Sequence, residues 1–252
     1  MSDFDRNVAA RGGFADRAAA VDAGLRAYML RVYNYMAAAV ALTGVVAYGT
    51  FNAAVVTDAS GKITALTPFG QTIFSGPLSI VLLLGTLGLV FFISFRINRL
   101  QYTTALTLFM VYAALLGVTL SSIFLAYTGA SITRVFFISA ASFGALSLYG
   151  YTTQRDLSAM GSFLIMGLFG IIIASLVNIF LKSSGLDWAI SVIGVGVFAG
   201  LTAYDTQRIK EMYDGVDDSD TLGRKAVMGA LSLYLDFINL FMMLLRLVGD
   251  RR

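Results

Sequence analysis

Two aspartates stand inside apolar sequence, Asp236 near the middle of residues 226–248 and Asp205 near the end of residues 188–206. About 20 residues suffice for a helix to cross a bilayer, and the later stretch is long enough. An ionised carboxylate at that depth is expensive and marks a functional position or a paired one. Ser232, Asp236, Asn239 and Met243 fall at i, i+4, i+7 and i+11, on one helical face. Such a stripe cannot face lipid and must face other helices or a wet cavity. On the earlier stretch Ser191, Gly194, Phe198, Leu201 with Thr202, and Asp205 also share a face. Consecutive helices joined by a short loop are usually neighbours, so the two carboxyls can meet. Two carboxyls in one apolar site cannot easily both be ionised, and they titrate in two coupled steps. The chemistry on offer is a proton-sensitive switch. The plainer alternative is that each aspartate caps a helix or pairs with an arginine, Asp205 lying beside Arg208 and Lys210.

The elements that must hold such a pair are transmembrane helices. Apolar residues make up 58% and charged residues 13%, against roughly 25% charged in a soluble domain, and the mean hydropathy is +0.78. The absence of cysteine removes disulfides and thiolate chemistry, and the absence of histidine removes Ser-His-Asp and Cys-His catalysis and histidine metal sites. Proton chemistry near neutrality therefore falls to carboxylates. A net charge of +3 does not point to nucleic acid, because the basic residues flank apolar spans. No enzyme activity and no resident cofactor are expected.

Residues 1–25 are polar and mixed in charge, without a signal-peptide core, and are expected to form a mostly disordered tail. Residues 24–34 are expected to open the first helix at the interface. Apolar stretches follow at 35–56, 77–95, 104–127, 132–151, 159–181, 188–206 and 226–248, so residues 26–252 are predicted to form one domain of seven helices. The fourth is rich in small residues from Ser139 to Gly150, and Gly196 and Gly200 give the sixth a small-xxx-small pair, features of close helix packing. With the N-terminus inside and seven crossings, the inner side receives 12 Lys and Arg and the outer side 6, as the positive-inside rule favours. If the last stretch re-entered instead, the split would be 15 to 3. Length favours crossing; charge favours re-entry.

Intramembrane aspartates on consecutive helices also invite an aspartic-protease reading, since Tyr204-Asp205 resembles the tyrosine-aspartate motif of presenilin-like proteases. The second motif of those enzymes, glycine-x-glycine-aspartate, is replaced here by Leu233-Tyr234-Leu235-Asp236, and no proline follows Pro77. The run ALSLYLDFINLF over residues 230–241, followed by Leu244-Leu245-Arg246, instead resembles the signature of the Bax inhibitor-1 family, as does Tyr204-Asp205-Thr206-Gln207 with Ile209-Lys210. The resemblance covers nearly all the spans and implies an all-α integral membrane protein whose seventh helix is central and wrapped by the other six. It implies a pH-sensitive calcium leak, with Asp205 and Asp236 as sensor and gate. It further implies a closed-state latch from a basic residue ending the second span, Arg99, with Arg96 as the fallback. Ser232, Asn239 and Tyr204 are expected along the polar pathway, and calcium to be held only weakly and transiently by Asp205 and Asp236. Relatives that bind a membrane-bound AAA protease make a non-conducting regulator the alternative. The expected setting is the inner membrane of a bacterium, N-terminus cytoplasmic.

Overall fold

The computed structural model describes the backbone of residues 3–58 and 62–252, and side chains from Asp22 onward. Helix α1 runs Asp3–Ala54, a hairpin follows with β1 Val55–Thr57 and β2 Ile63–Leu66, and then come α2 Pro68–Phe74 and α3 Pro77–Arg96. A 3-10 turn, Ile97–Arg99, leads to α4 Tyr102–Leu120, the one-turn α5 Ile123–Ala126, α6 Gly129–Thr152, α7 Ser158–Leu181, α8 Ser184–Glu211 and α9 Ser219–Val248. Seven helical segments among the described residues are long and apolar enough to cross a membrane, the first spanning Asp22–Ala54.

Local chemistry sets the helix ends. Both prolines open helices, Pro68 in α2 and Pro77 in α3, where the missing N–H costs nothing. Thr128 caps α6 at Ser131, Ser183 caps α8 at Leu186, and Asp218 caps α9, accepting from the Thr221 N–H at 2.8 Å. That hydrogen bond holds the Asp218 carboxyl below the usual carboxylate range. A carboxyl so lowered lends stability that is complete above its unfolded value and is lost as pH falls through its folded value. Asp218→Ala should therefore speed amide exchange in the first turn of α9 at pH 7, with the difference from the parent shrinking in acid. Asp218→Asn, which can still accept the bond, should exchange like the parent.

One expectation is corrected and one is refined. Residues 3–25, expected as a disordered tail, carry helical backbone continuous with the first span; the stretch is alanine-rich, and alanine is the strongest helix former. Residues 1 and 2 lie outside the described residues. The first connection contains the β1–β2 hairpin and α2. The wrapping of the last helix is two-tiered: α9 packs directly on α1, α4, α6 and α8, while α3 sits mainly on α4 and α7 mainly on α8. The reason is visible in the side chains. In the spans built on α3 and α7 only 11% of the most apolar window is buried, against 67% in the span of α9. Helices apolar on all sides, exposing residues such as Leu84, Phe95, Phe163 and Phe180, suit a lipid-facing position.

Close helix approach occurs where a side chain would not fit. A Cβ on Gly117 of α4 would lie 2.7 Å from the Thr43 carbonyl of α1, and one on Gly150 of α6 would collide with the Ala203 carbonyl of α8. Gly200 packs against Leu164, but a Cβ on Gly196 would meet nothing. Only one member of the expected small-xxx-small pair is thus a contact.

The last helix crosses rather than re-enters. Helix α9 is unbroken, and 30 residues span ~45 Å at 1.5 Å per residue. Its start lies beside the α3–α4 turn, where Asp220 accepts from Tyr102 N and Arg224 donates to the Asn98 carbonyl. Its end lies beside the α5–α6 connection, where Tyr127 bridges Arg251, Arg252 N donates to the Ala126 carbonyl and Arg134 pairs with Asp250 at 2.9 Å. A reporter fused after Arg252 is accordingly expected outside the cytoplasm; a cytoplasmic signal would show that this end of the bundle faces inward.

Candidate functional site

The two aspartates meet between α8 and α9. Asp236 is buried at 5% exposure and Asp205 is half-buried, and the two carboxyls lie close enough to act on one another. Asp236 keeps Oδ2 fully buried with no hydrogen-bond partner. A buried, unsatisfied carboxyl oxygen is costly and rare in a folded interior. Helical spacing accounts for the meeting: Ser191, Phe198, Leu201 and Thr202, on the Asp205 face, are all buried.

The surroundings of the pair are mostly apolar. Toward the outer end Met243 of α9 fills the space above Gly194 of α8, and Phe198 is buried on the face between them. Ser232 and Asn239 flank Asp236 on α9, both half-buried, and the Asn239 amide donates to the Leu235 carbonyl of its own helix at 2.8 Å. Tyr204 is placed differently from expectation. Its ring lies over Gly161 of α7, because one residue along a helix turns the side chain through about 100° from Asp205.

The charge that acts on Asp205 is Arg208, one turn farther along α8. The latch expected from Arg99 or Arg96 is not formed in this conformation. Both arginines are exposed, and neither makes an ion pair among the described residues. The turn that carries Arg99 packs at the level of Arg224, whereas the pair lies at the level of Asp236, 12 residues or ~18 Å along α9.

Several polar contacts that hold the site escaped the sequence reading. Tyr234, fully buried, bonds Thr43 Oγ1 at 2.7 Å, and Thr43 in turn lies 2.9 Å from the Ala39 and Ala113 carbonyls, joining α9, α1 and α4. Tyr33, Ser147 and Thr206 form a hydroxyl chain across α1, α6 and α8 at 2.7 and 2.9 Å. Gln207 accepts from Leu157 N and donates to the Arg155 carbonyl, fixing the α6–α7 connection to α8. The available signal was the rule that a buried tyrosine hydroxyl finds a partner, with Tyr234 beside Asp236 in sequence.

The family described as inhibitor of apoptosis-promoting Bax1 matches residues 25–252, which include both aspartates. The chain belongs to the Bax inhibitor-1 family. Bacterial relatives extend the match: an uncharacterised protein of Rickettsia prowazekii is 52% identical over 92% of this chain and 92% of its own length. Inner membrane protein YbhL of Escherichia coli is 49% identical over 91% of this chain and 94% of its own, and an uncharacterised protein of Caulobacter vibrioides is 43% identical over the whole of both. This member of the Bax inhibitor-1 family is a multi-pass membrane protein, with the aspartate pair at the contact of its two most buried spans. Among its described residues no three His, Cys, Asp or Glu side chains cluster as a metal site.

Proposed function

We propose that the protein is a pH-gated, calcium-permeable leak pathway, with Asp205 and Asp236 as its switch and the present conformation as its closed state. The observation that carries this reading is the meeting of two membrane-embedded carboxyls, one retaining a buried oxygen without a partner. Calcium takes six to eight oxygen ligands. Two carboxyls with Ser232 and Asn239 nearby fall short of that number, which favours passage over tight binding, because a conducted ion must also leave. In the closed state Arg208 draws on ionised Asp205 from the cytoplasmic end of α8. Mild acidification protonates Asp205, which Arg208 on the same helix otherwise keeps ionised, its charge is lost from the α8–α9 contact, and α8 parts from α9 at the Gly194–Met243 contact. Further acidification neutralises both carboxyls and removes the attraction for the cation, so flux passes through a maximum.

The testing experiment is calcium flux into liposomes that contain only this protein. Flux above that of empty liposomes supports the leak. Silence, with specific co-purification of a membrane-bound AAA protease or another complex, supports the non-conducting regulator. The cation assignment has its own test: Arg208→Ala is expected to raise the leak at pH 8, and Arg99→Ala to leave it at the parent level. The reverse pattern would restore Arg99 as the latch through a rearrangement of the α3–α4 turn.

A further inference from the structure

We propose that a groove between α1 and α6 holds one anionic phospholipid of the inner leaflet, with its phosphate at Arg26 and an acyl chain along Leu30, Phe143 and Leu148. The groove has a volume of about 580 Å³, within the range of roughly 300–1,000 Å³ usual for a ligand pocket. Its wall is apolar, from Met29 and Leu30 on α1 and Phe143 and Leu148 on α6. Gly144 keeps it open, since a Cβ there would meet nothing within 4 Å.

What distinguishes this groove from the general lipid-facing surface is its polar and cationic end. Arg26 lines it and is exposed. Tyr151 also lines it and carries Lys210, whose ammonium bonds the Tyr151 carbonyl at 3.0 Å and lies 5.4 Å from the ring centroid. Two cations thus mark the end where the N-terminal part of α1 meets the C-terminal part of α6, the cytoplasmic end by the charge rule. A basic end above an apolar trough matches a phosphate above an acyl chain, and basic residues at the inner surface attract anionic lipid. Deeper in, Ser147 is buried at 3% exposure and bonds both Tyr33 and Thr206. A chain seated in the groove would touch the hydroxyl network next to Asp205. The binding itself does not depend on whether the protein conducts.

The test compares phosphatidylglycerol and phosphatidylcholine carrying the same photoactivatable acyl chain, each incubated with the full-length protein in detergent and mapped by peptide mass spectrometry. The parent is expected to be labelled within residues 26–33 and 143–151, with phosphatidylglycerol labelling roughly fivefold stronger, the effect of one basic residue at a membrane surface. Gly144→Leu, which fills the trough, should lose labelling by both lipids. Arg26→Gln should keep phosphatidylcholine labelling and lose the preference for phosphatidylglycerol. Equal labelling of the parent by both lipids, undiminished labelling of Gly144→Leu, or label spread over α3 and α7 would overturn the proposal.

Discussion

Asparagine at position 205 is expected to leave the proposed pathway conducting at pH 8, where the parent is expected to be closed. In the proposed closed state Asp205 is ionised beside Arg208 of its own helix and lies against Asp236 across the α8–α9 contact. Asparagine keeps the size and a hydrogen-bonding amide but abolishes the charge, so the variant imitates protonation while leaving the packing intact. Loss of an electrostatic bias of ~1.4 kcal/mol corresponds to roughly a tenfold rise in the open-to-closed ratio, and flux at pH 8 should rise by about that factor. Asparagine at 236 should act differently. It removes the second carboxyl and with it the coupling, so the two-step pH response of the parent should become a single step at Asp205. Flux measured from pH 5 to 9 separates the cases: a raised plateau at high pH for the first variant, a single-site profile for the second. If both variants keep the parent's profile, the pair is not the switch.

The second large effect is on stability. Gly150→Leu should destabilise the bundle by about 3 kcal/mol, the upper end of ordinary overpacking, because its Cβ would run into the Ala203 carbonyl rather than into a movable side chain. Helices α6 and α8 would have to separate two residues from Asp205. Gly196→Leu, on the same helix as Ala203, should melt close to the parent, since a Cβ there meets nothing. Thermal melting in detergent distinguishes them. Equal losses would mean that helix propensity, and not the backbone contact at Gly150, governs these positions.

The aspartate pair was legible in the sequence because a carboxylate within an apolar run stands out and helical spacing assigns it a face. The central place of α9 was implied by the resemblance to the Bax inhibitor-1 family, and its polar stripe agreed with that place. The outer tier was harder to read. Helices α3 and α7 are apolar on every side, so no stripe says which face is buried or that they form an outer tier around the four helices packed on α9. The Arg99 latch, which this conformation does not form, was hard to read for a different reason. Sequence places Arg99 at the end of a span but not at a level along α9, and the Arg224 contacts with the Asn98 and Leu100 carbonyls set that level ~18 Å from the pair. The Tyr33–Ser147–Thr206 chain joins three helices far apart in sequence, and no local spacing rule links them. The strands of the hairpin are only three and four residues long, too short to show a period.

The pH dependence of calcium flux through the purified protein in liposomes, set against the double variant Asp205→Asn/Asp236→Asn, tests the proposed switch most directly. The parent should be nearly closed at pH 8, conduct more as the pH falls, and decline again when both carboxyls are protonated, while the double variant should show no pH dependence over the same range. A flat parent profile, or a double variant that still follows the parent's curve, would contradict a switch built from these two aspartates.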